Sequence, residues 1–198
     1  MSQTRRFALA ASAFALAAAI PARAQAQDDT MGPSRISIEG YLAQYSLDGG
    51  GGSFGDDRLN IGGVGVRAML GRGDVTGTLN NFFQRAKAGV FFTYTASQEG
   101  FSTQHFGGQA DFPIFAAPVA SGYLDPFFSL GLGGFRFSTD NTAGETVSET
   151  DAAFTPAIGT LIPLTGAIKF RGDIRDVIIF GDETTNNFVL EGGISVGF

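Results

Sequence analysis

The chain has 198 residues, 19 of them acidic against 13 basic, with a single histidine and no cysteine. That balance excludes a disulfide framework, thiol chemistry and a cysteine-linked lipid anchor, and it offers a nucleic acid no clustered lysine and arginine to grip. Twenty phenylalanines and 29 glycines, without tryptophan, point to strands that pass close to one another rather than to helices.

Residues 1–26 read as a cleavable signal peptide. Arg5 and Arg6 form its charged start, Phe7 to Ile20 its apolar stretch, and the small residues before Ala24 or Ala26 its cleavage site. The apolar stretch falls short of the ~20 residues that a helical membrane span requires. Export and a mature chain with a short lead over 27–34 are the expectation. Removal of Arg5, Arg6 and Arg23 would leave ten basic residues against 19 acidic ones.

From Arg35 to Phe198 the sequence alternates in eight stretches of about a dozen residues, starting near Arg35, Leu59, Ala86, Gln104, Tyr123, Ala152, Ala167 and Asn187. Each is long enough, when tilted, to cross an apolar band of ~25 Å. The connections "DGGGGSFGDDR", "SQEGFST", "STDNTAGETVSETD" and "FGDETTNN" are polar or acidic and are expected as long loops at one end. They carry Asp48, Asp56, Asp57, Glu99, Asp140, Glu145, Glu149, Asp151, Asp182 and Glu183 against Arg58 alone, a solvated acidic surface without calcium-loop ligand spacing. No metal or cofactor is expected. Residues 71–85 break the pattern, and their structure is left open.

The seventh stretch decides which face is inside. Lys169, Arg171, Asp173 and Arg175 alternate with Ile168, Phe170, Gly172 and Ile174, so one face is fully charged and the other apolar. Glycines and serines, among them Gly63, Gly65, Gly107, Gly131, Gly133, Ser37, Ser129 and Ser195, fall mainly on the charged face. Small residues suit a narrow lumen better than a solvated surface, so polar groups are expected inside and apolar groups outside. The predicted lumen set is Arg67, Lys87, Lys169, Arg171 and Arg175 against Glu39, Asp111, Asp125, Asp173 and Glu191. Equal numbers of buried charges imply an internal salt-bridge network that plugs the barrel, with Arg171 paired to Glu191.

The leader, the eight alternating segments and the closing "EGGISVGF" together resemble the small eight-stranded outer-membrane β-barrels of the OmpA/OmpX-like kind. The resemblance covers the mature chain and implies an all-β fold, an eight-stranded antiparallel up-and-down transmembrane β-barrel over residues 35–198, in the bacterial outer membrane. It further implies that Leu190, Gly192, Ile194, Val196 and Phe198 form the C-terminal signal read by the outer-membrane assembly machinery. Outer-membrane lipid and lipopolysaccharide would be the surroundings, a monomer the expected state, and the role structural or surface-interacting rather than enzymatic. The tyrosines Tyr41, Tyr45, Tyr94 and Tyr123 are too few for an interfacial girdle, which must lean on phenylalanine.

Two other classes compete. A lipid A-modifying enzyme would have to use His105, which the surrounding "FSTQHFGG" places at the loop-rich rim with Ser102 and Thr103 near it. No nucleophile shares its strand face at the next position, Gly107, so a surface histidine is the expectation. A soluble lipocalin-like barrel would reverse the faces and bury the phenylalanines and leucines in a cavity.

Overall fold

The computed structural model describes residues 36–47, 59–71, 85–98, 101–115, 117–120, 123–140 and 146–198. The expected signal peptide and lead, most of the undecided 71–85 segment and the whole of the first acidic connection lie outside the described residues. Eight strands run in chain order: β1 (Ile36–Leu47), β2 (Leu59–Gly71), β3 (Lys87–Gln98), β4 (Phe101–Pro113), β5 (Asp125–Asp140), β6 (Thr146–Pro163), β7 (Ile168–Phe180) and β8 (Thr184–Gly197). Each pairs antiparallel with its neighbours, and β8 returns to β1, closing an up-and-down barrel. Closure continues through the last residue: the Phe198 amide donates to the Ile36 carbonyl at 2.8 Å. No helix among the described residues is long and apolar enough to cross a membrane.

The alternation sorts as the β7 pattern predicts. Leu132, Val90, Leu190, Ile174, Leu42 and Val66 point outward, each more than half exposed. The reversed, lipocalin-like arrangement is thereby overturned. Such an apolar wall is stable only against lipid, and only a closed sheet leaves no backbone group unanswered there. Phe92, Phe106, Phe128, Phe170 and Phe188 belong to this wall, whereas Tyr41 and Tyr45 turn into the lumen and leave Tyr94 and Tyr123 as the exposed tyrosines.

The ends of the barrel correct the expectation that the polar connections are long loops. Strands β5 and β6 reach Asp140 and resume at Thr146, so most of "STDNTAGETVSETD" is a hairpin that climbs above the barrel, with Asp140 opposite Thr146. "SQEGFST" shrinks to a connection at 99–100, and "FGDETTNN" to one at 181–183. At the opposite end, where β1 begins and β8 ends, the β4–β5 connection runs over 114–124 and contains a Val119 to Leu124 bridge. The polar composition that marks a loop also suits a strand whose two faces are both wet.

Glycine serves close approach inside the barrel. A Cβ on Gly65 would overlap the Tyr41 ring, which is held by a 2.8 Å bond from its hydroxyl to Thr93 Oγ1 and by the Arg67 guanidinium 4.6 Å from the ring centre. Gly107 and Gly133 face each other across β4 and β5, and a Cβ on either would meet the backbone of the other strand. Replacing Gly65 with Val should therefore lower the stability of the refolded barrel by about 1–3 kcal/mol, the usual range for overpacking. Gly40→Ala, on the outer wall where a Cβ meets nothing within 4 Å, should leave the urea midpoint unchanged.

Candidate functional site

The lumen has three levels along the barrel axis. Toward the loop end it is apolar. Tyr45, Leu47, Ile61, Phe101, Phe135, Val177, Ile179 and Val189 pack into one buried cluster. This corrects the expectation of a lumen filled by small and charged groups. In β7 and β8 the inward positions change from charged to aliphatic partway along the strand, Arg175 giving way to Val177 and Glu191 lying beyond Val189.

His105 sits within this level, fully buried, and not at the surface as its local sequence suggests. Its Nδ1 lies 3.2 Å from the Tyr45 hydroxyl, and the Phe91 and Phe135 ring centres stand 4.7 and 5.3 Å from its own. Thr103, two residues back on the same face, is bonded to Thr95 at 2.9 Å. Ser102 faces the other side of the strand. The hydroxyl beside the imidazole is that of Tyr45, and both residues are shut off from solvent and so from any substrate. His105 functions as a packed aromatic with one polar tie.

The middle level holds the charges. Arg67 on β2 reaches Glu39 on β1 at 2.9 Å and Glu191 on β8 at 2.5 Å. Arg171 on β7 contacts Asp111 on β4 at 2.5 Å and Asp173 at 2.8 Å, with Glu39 at 3.6 Å. Arg175 stands 3.4 Å from Glu191 and 3.6 Å from Asp173. Glu191 thus belongs to Arg67 and Arg175, and the expected pairing of Arg171 with Glu191 is replaced by Asp111 and Asp173. Strand register does not reveal this, because partners meet across the lumen rather than along one ladder. Asp173 and Glu191 lie directly opposite each other on β7 and β8. Two carboxylates so placed repel unless cations separate them, and Arg67 and Arg175 contact both.

Aromatic rings complete the arginine sites. Arg67, Arg171 and Arg175 carry their guanidinium carbons 4.6, 4.1 and 5.4 Å from the ring centres of Tyr41, Phe127 and Phe91. Guanidinium is flat and weakly hydrated, so one face can lie on a ring while its edges meet carboxylates. Tyr41 belongs to the apolar cluster above, whereas Phe127 lies on the terminus side of the charged level.

The lowest level, at the terminus end, departs from the expected network. Asp125 pairs with Arg85, just ahead of β3, which also donates to the Phe115 carbonyl at 2.7 Å. Arg85 lay in the segment that sequence reasoning left undecided. Lys87 donates to Ser37 at 3.3 Å, and neither Lys87 nor Lys169 forms an ion pair among the described residues. Both line a cavity of about 270 Å³ with Arg171, Asp111 and Asp125.

A closed eight-stranded antiparallel barrel, apolar outside and ion-paired inside, is the fold of small transmembrane β-barrels. No family model matches the chain, and no curated protein sequence does so either. Solved structures do. Neisserial surface protein A aligns over 85% of this chain and 100% of its own with a TM-score of 0.64 at 15% identity. Ail, the attachment invasion locus protein of Yersinia pestis in complex with the heparin analogue sucrose octasulfate, gives 0.52 at 14%, over 85% of this chain and 100% of its own. The N-terminal barrel of Pseudomonas aeruginosa OprF gives 0.50 at 10%, over 84% and 100%.

Removing one arginine from the middle level strands buried carboxylates. Arg171→Met should destabilise the refolded barrel by about 3–5 kcal/mol, the usual loss when one partner of a buried pair is deleted. Asp111→Asn introduced alongside it should restore part of the urea midpoint. An unchanged midpoint in the single variant would show that the layer contributes nothing.

Proposed function

We infer that the chain is a monomeric, non-enzymatic integral barrel of the bacterial outer membrane, with a structural or surface-interaction role and a plugged lumen. The observation that carries this reading is the middle level. Three arginines, each at most 3% exposed, are tied to four carboxylates from β1, β4, β7 and β8, each guanidinium against an aromatic ring. An eight-stranded interior has room only for side chains, and here they are large and mutually bound. Outer-membrane lipid and lipopolysaccharide are the partners of the apolar wall.

Surface interaction runs through the loop end. The β5–β6 hairpin stands clear of the barrel there, with Thr146 to Thr150 exposed. Glu149, Asp182 and Glu183 make the described part of this end acidic. A sulfated saccharide such as the one bound to Ail would meet like charge, so that ligand is not carried over to this chain. A cationic or neutral partner suits the surface better.

The enzymatic alternative has little support, since His105 and the Tyr45 hydroxyl beside it are shut off from solvent. The C-terminal face Leu190, Gly192, Ile194, Val196 and Phe198 points to lipid, as an assembly signal presented on the closing strand would.

The refolded barrel should migrate anomalously on gels without heating and should give no steady conductance of nanosiemens size in a planar bilayer. A stable open channel would overturn the plug. Phe198 is half exposed and ties its backbone to Ile36, so its ring contributes little to the fold. Phe198→Ala should refold in detergent with a normal heat-shifted band, yet reach the outer membrane of cells in much lower amount. Equal yields in cells would remove the signal role.

A further inference from the structure

Every lumen carboxylate already has an arginine. Glu39 and Glu191 contact Arg67, Asp111 and Asp173 contact Arg171, and Asp125 contacts Arg85. Lys87 and Lys169 enter the terminus-end cavity with no carboxylate left for them. They lie on opposite sides of the barrel, on β3 and β7, close enough to repel each other, and the single side-chain bond of Lys87 goes to the Ser37 hydroxyl. Arg171 lines the same cavity, 3% exposed, with its guanidinium already engaged by Asp111 and Asp173. Glu39, Asp111 and Asp125 line this cavity against Arg85, Lys87, Lys169 and Arg171, and because the carboxylates are held by arginines, the two lysines are the groups set up to receive negative charge.

The geometry points to an anion-binding vestibule at the terminus end of the barrel, in which Lys87 and Lys169 hold a small oxyanion of the phosphate type against the floor formed by Arg171. The cavity, at about 270 Å³, exceeds by far the ~15 Å³ that a single water needs, so a phosphate group fits. Pro113, Pro118 and Phe127 supply the apolar part of its wall, and the carboxylates of Glu39, Asp111 and Asp125, which also line it, are turned to arginines. The charge-paired level above stops the anion from passing further, so the vestibule binds rather than conducts. The outer-membrane reading enters only in naming the source: with this end on the periplasmic side, the phosphate comes from periplasmic solution or from a phospholipid headgroup of the inner leaflet.

The test uses the full barrel refolded in dodecyl maltoside, a detergent without phosphate, with inorganic phosphate as the probe. Phosphate should broaden its own ³¹P resonance saturably and raise the urea midpoint above that in chloride of equal ionic strength, because a ligand of the folded state stabilises it. Lys87→Gln with Lys169→Gln should abolish both effects while the heat-shifted band persists, and Arg136→Gln, on the outer wall, should abolish neither. Lys169→Gln alone should weaken the apparent affinity by roughly tenfold, as expected from loss of one charge-assisted bond. Absence of saturable broadening, or broadening that survives the double substitution, overturns the proposal. In phosphatidylglycerol nanodiscs, weaker phosphate binding than in detergent marks the lipid headgroup as the occupant, and equal binding marks the free anion. Both detergent readouts are independent of where the barrel resides in the cell, so their failure rejects the vestibule without bearing on the outer-membrane reading.

Discussion

Three guanidinium groups cut off from water have to be answered by carboxylates on other strands, and this requirement organises the barrel. Arg67, Arg171 and Arg175 can be buried only because Glu39, Asp111, Asp173 and Glu191 converge on them. Each ion alone would pay several kcal/mol of lost hydration, so the set is stable as a set or not at all. Small residues on the same face follow from it. Gly193 lies against the Tyr41 side chain and Gly131 against Thr155, where a larger residue would push apart the walls that bring the charges together.

The layer also divides the molecule chemically. Above it the lumen is an aromatic and aliphatic core like that of a soluble domain, with His105 and Tyr45 making their polar contact to each other. Below it the vestibule is wet and carries surplus positive charge. Outside, the same strands present lipid-facing residues. One polypeptide sheet thus separates three environments, and it does so with a two-residue period in which each strand takes one face from each side.

Much of this was legible in the sequence because strand periodicity is local. The charged face of Lys169, Arg171, Asp173 and Arg175 and the apolar face between them locate the wall and the lumen without knowledge of any other strand. Pairing was not legible, because the meeting of Arg171 with Asp111 depends on strand tilt and barrel closure, which no local window contains. His105 was misplaced by its polar neighbours, although a signal existed: it shares parity with Asp111, Gln109 and Thr103, so the alternation that puts Asp111 inside puts it inside as well. The climbing β5–β6 hairpin was hidden for a related reason. Where both faces meet water, a strand has the composition of a loop.

The charged layer stitches the first strands to the last. Glu191 sits on the final strand, β8, and its arginine partners on β2 and β7, while Glu39 on β1 contacts arginines from both of those strands. Peeling β8 away from β1 would therefore not proceed one backbone bond at a time. It would first have to tear apart contacts that sit deep in the interior and expose ions to hydrocarbon as the seam opened. The barrel's lifetime is governed by that initial rupture rather than by the summed strength of its ladder, so a folded molecule should persist for long periods under conditions in which its equilibrium stability is modest.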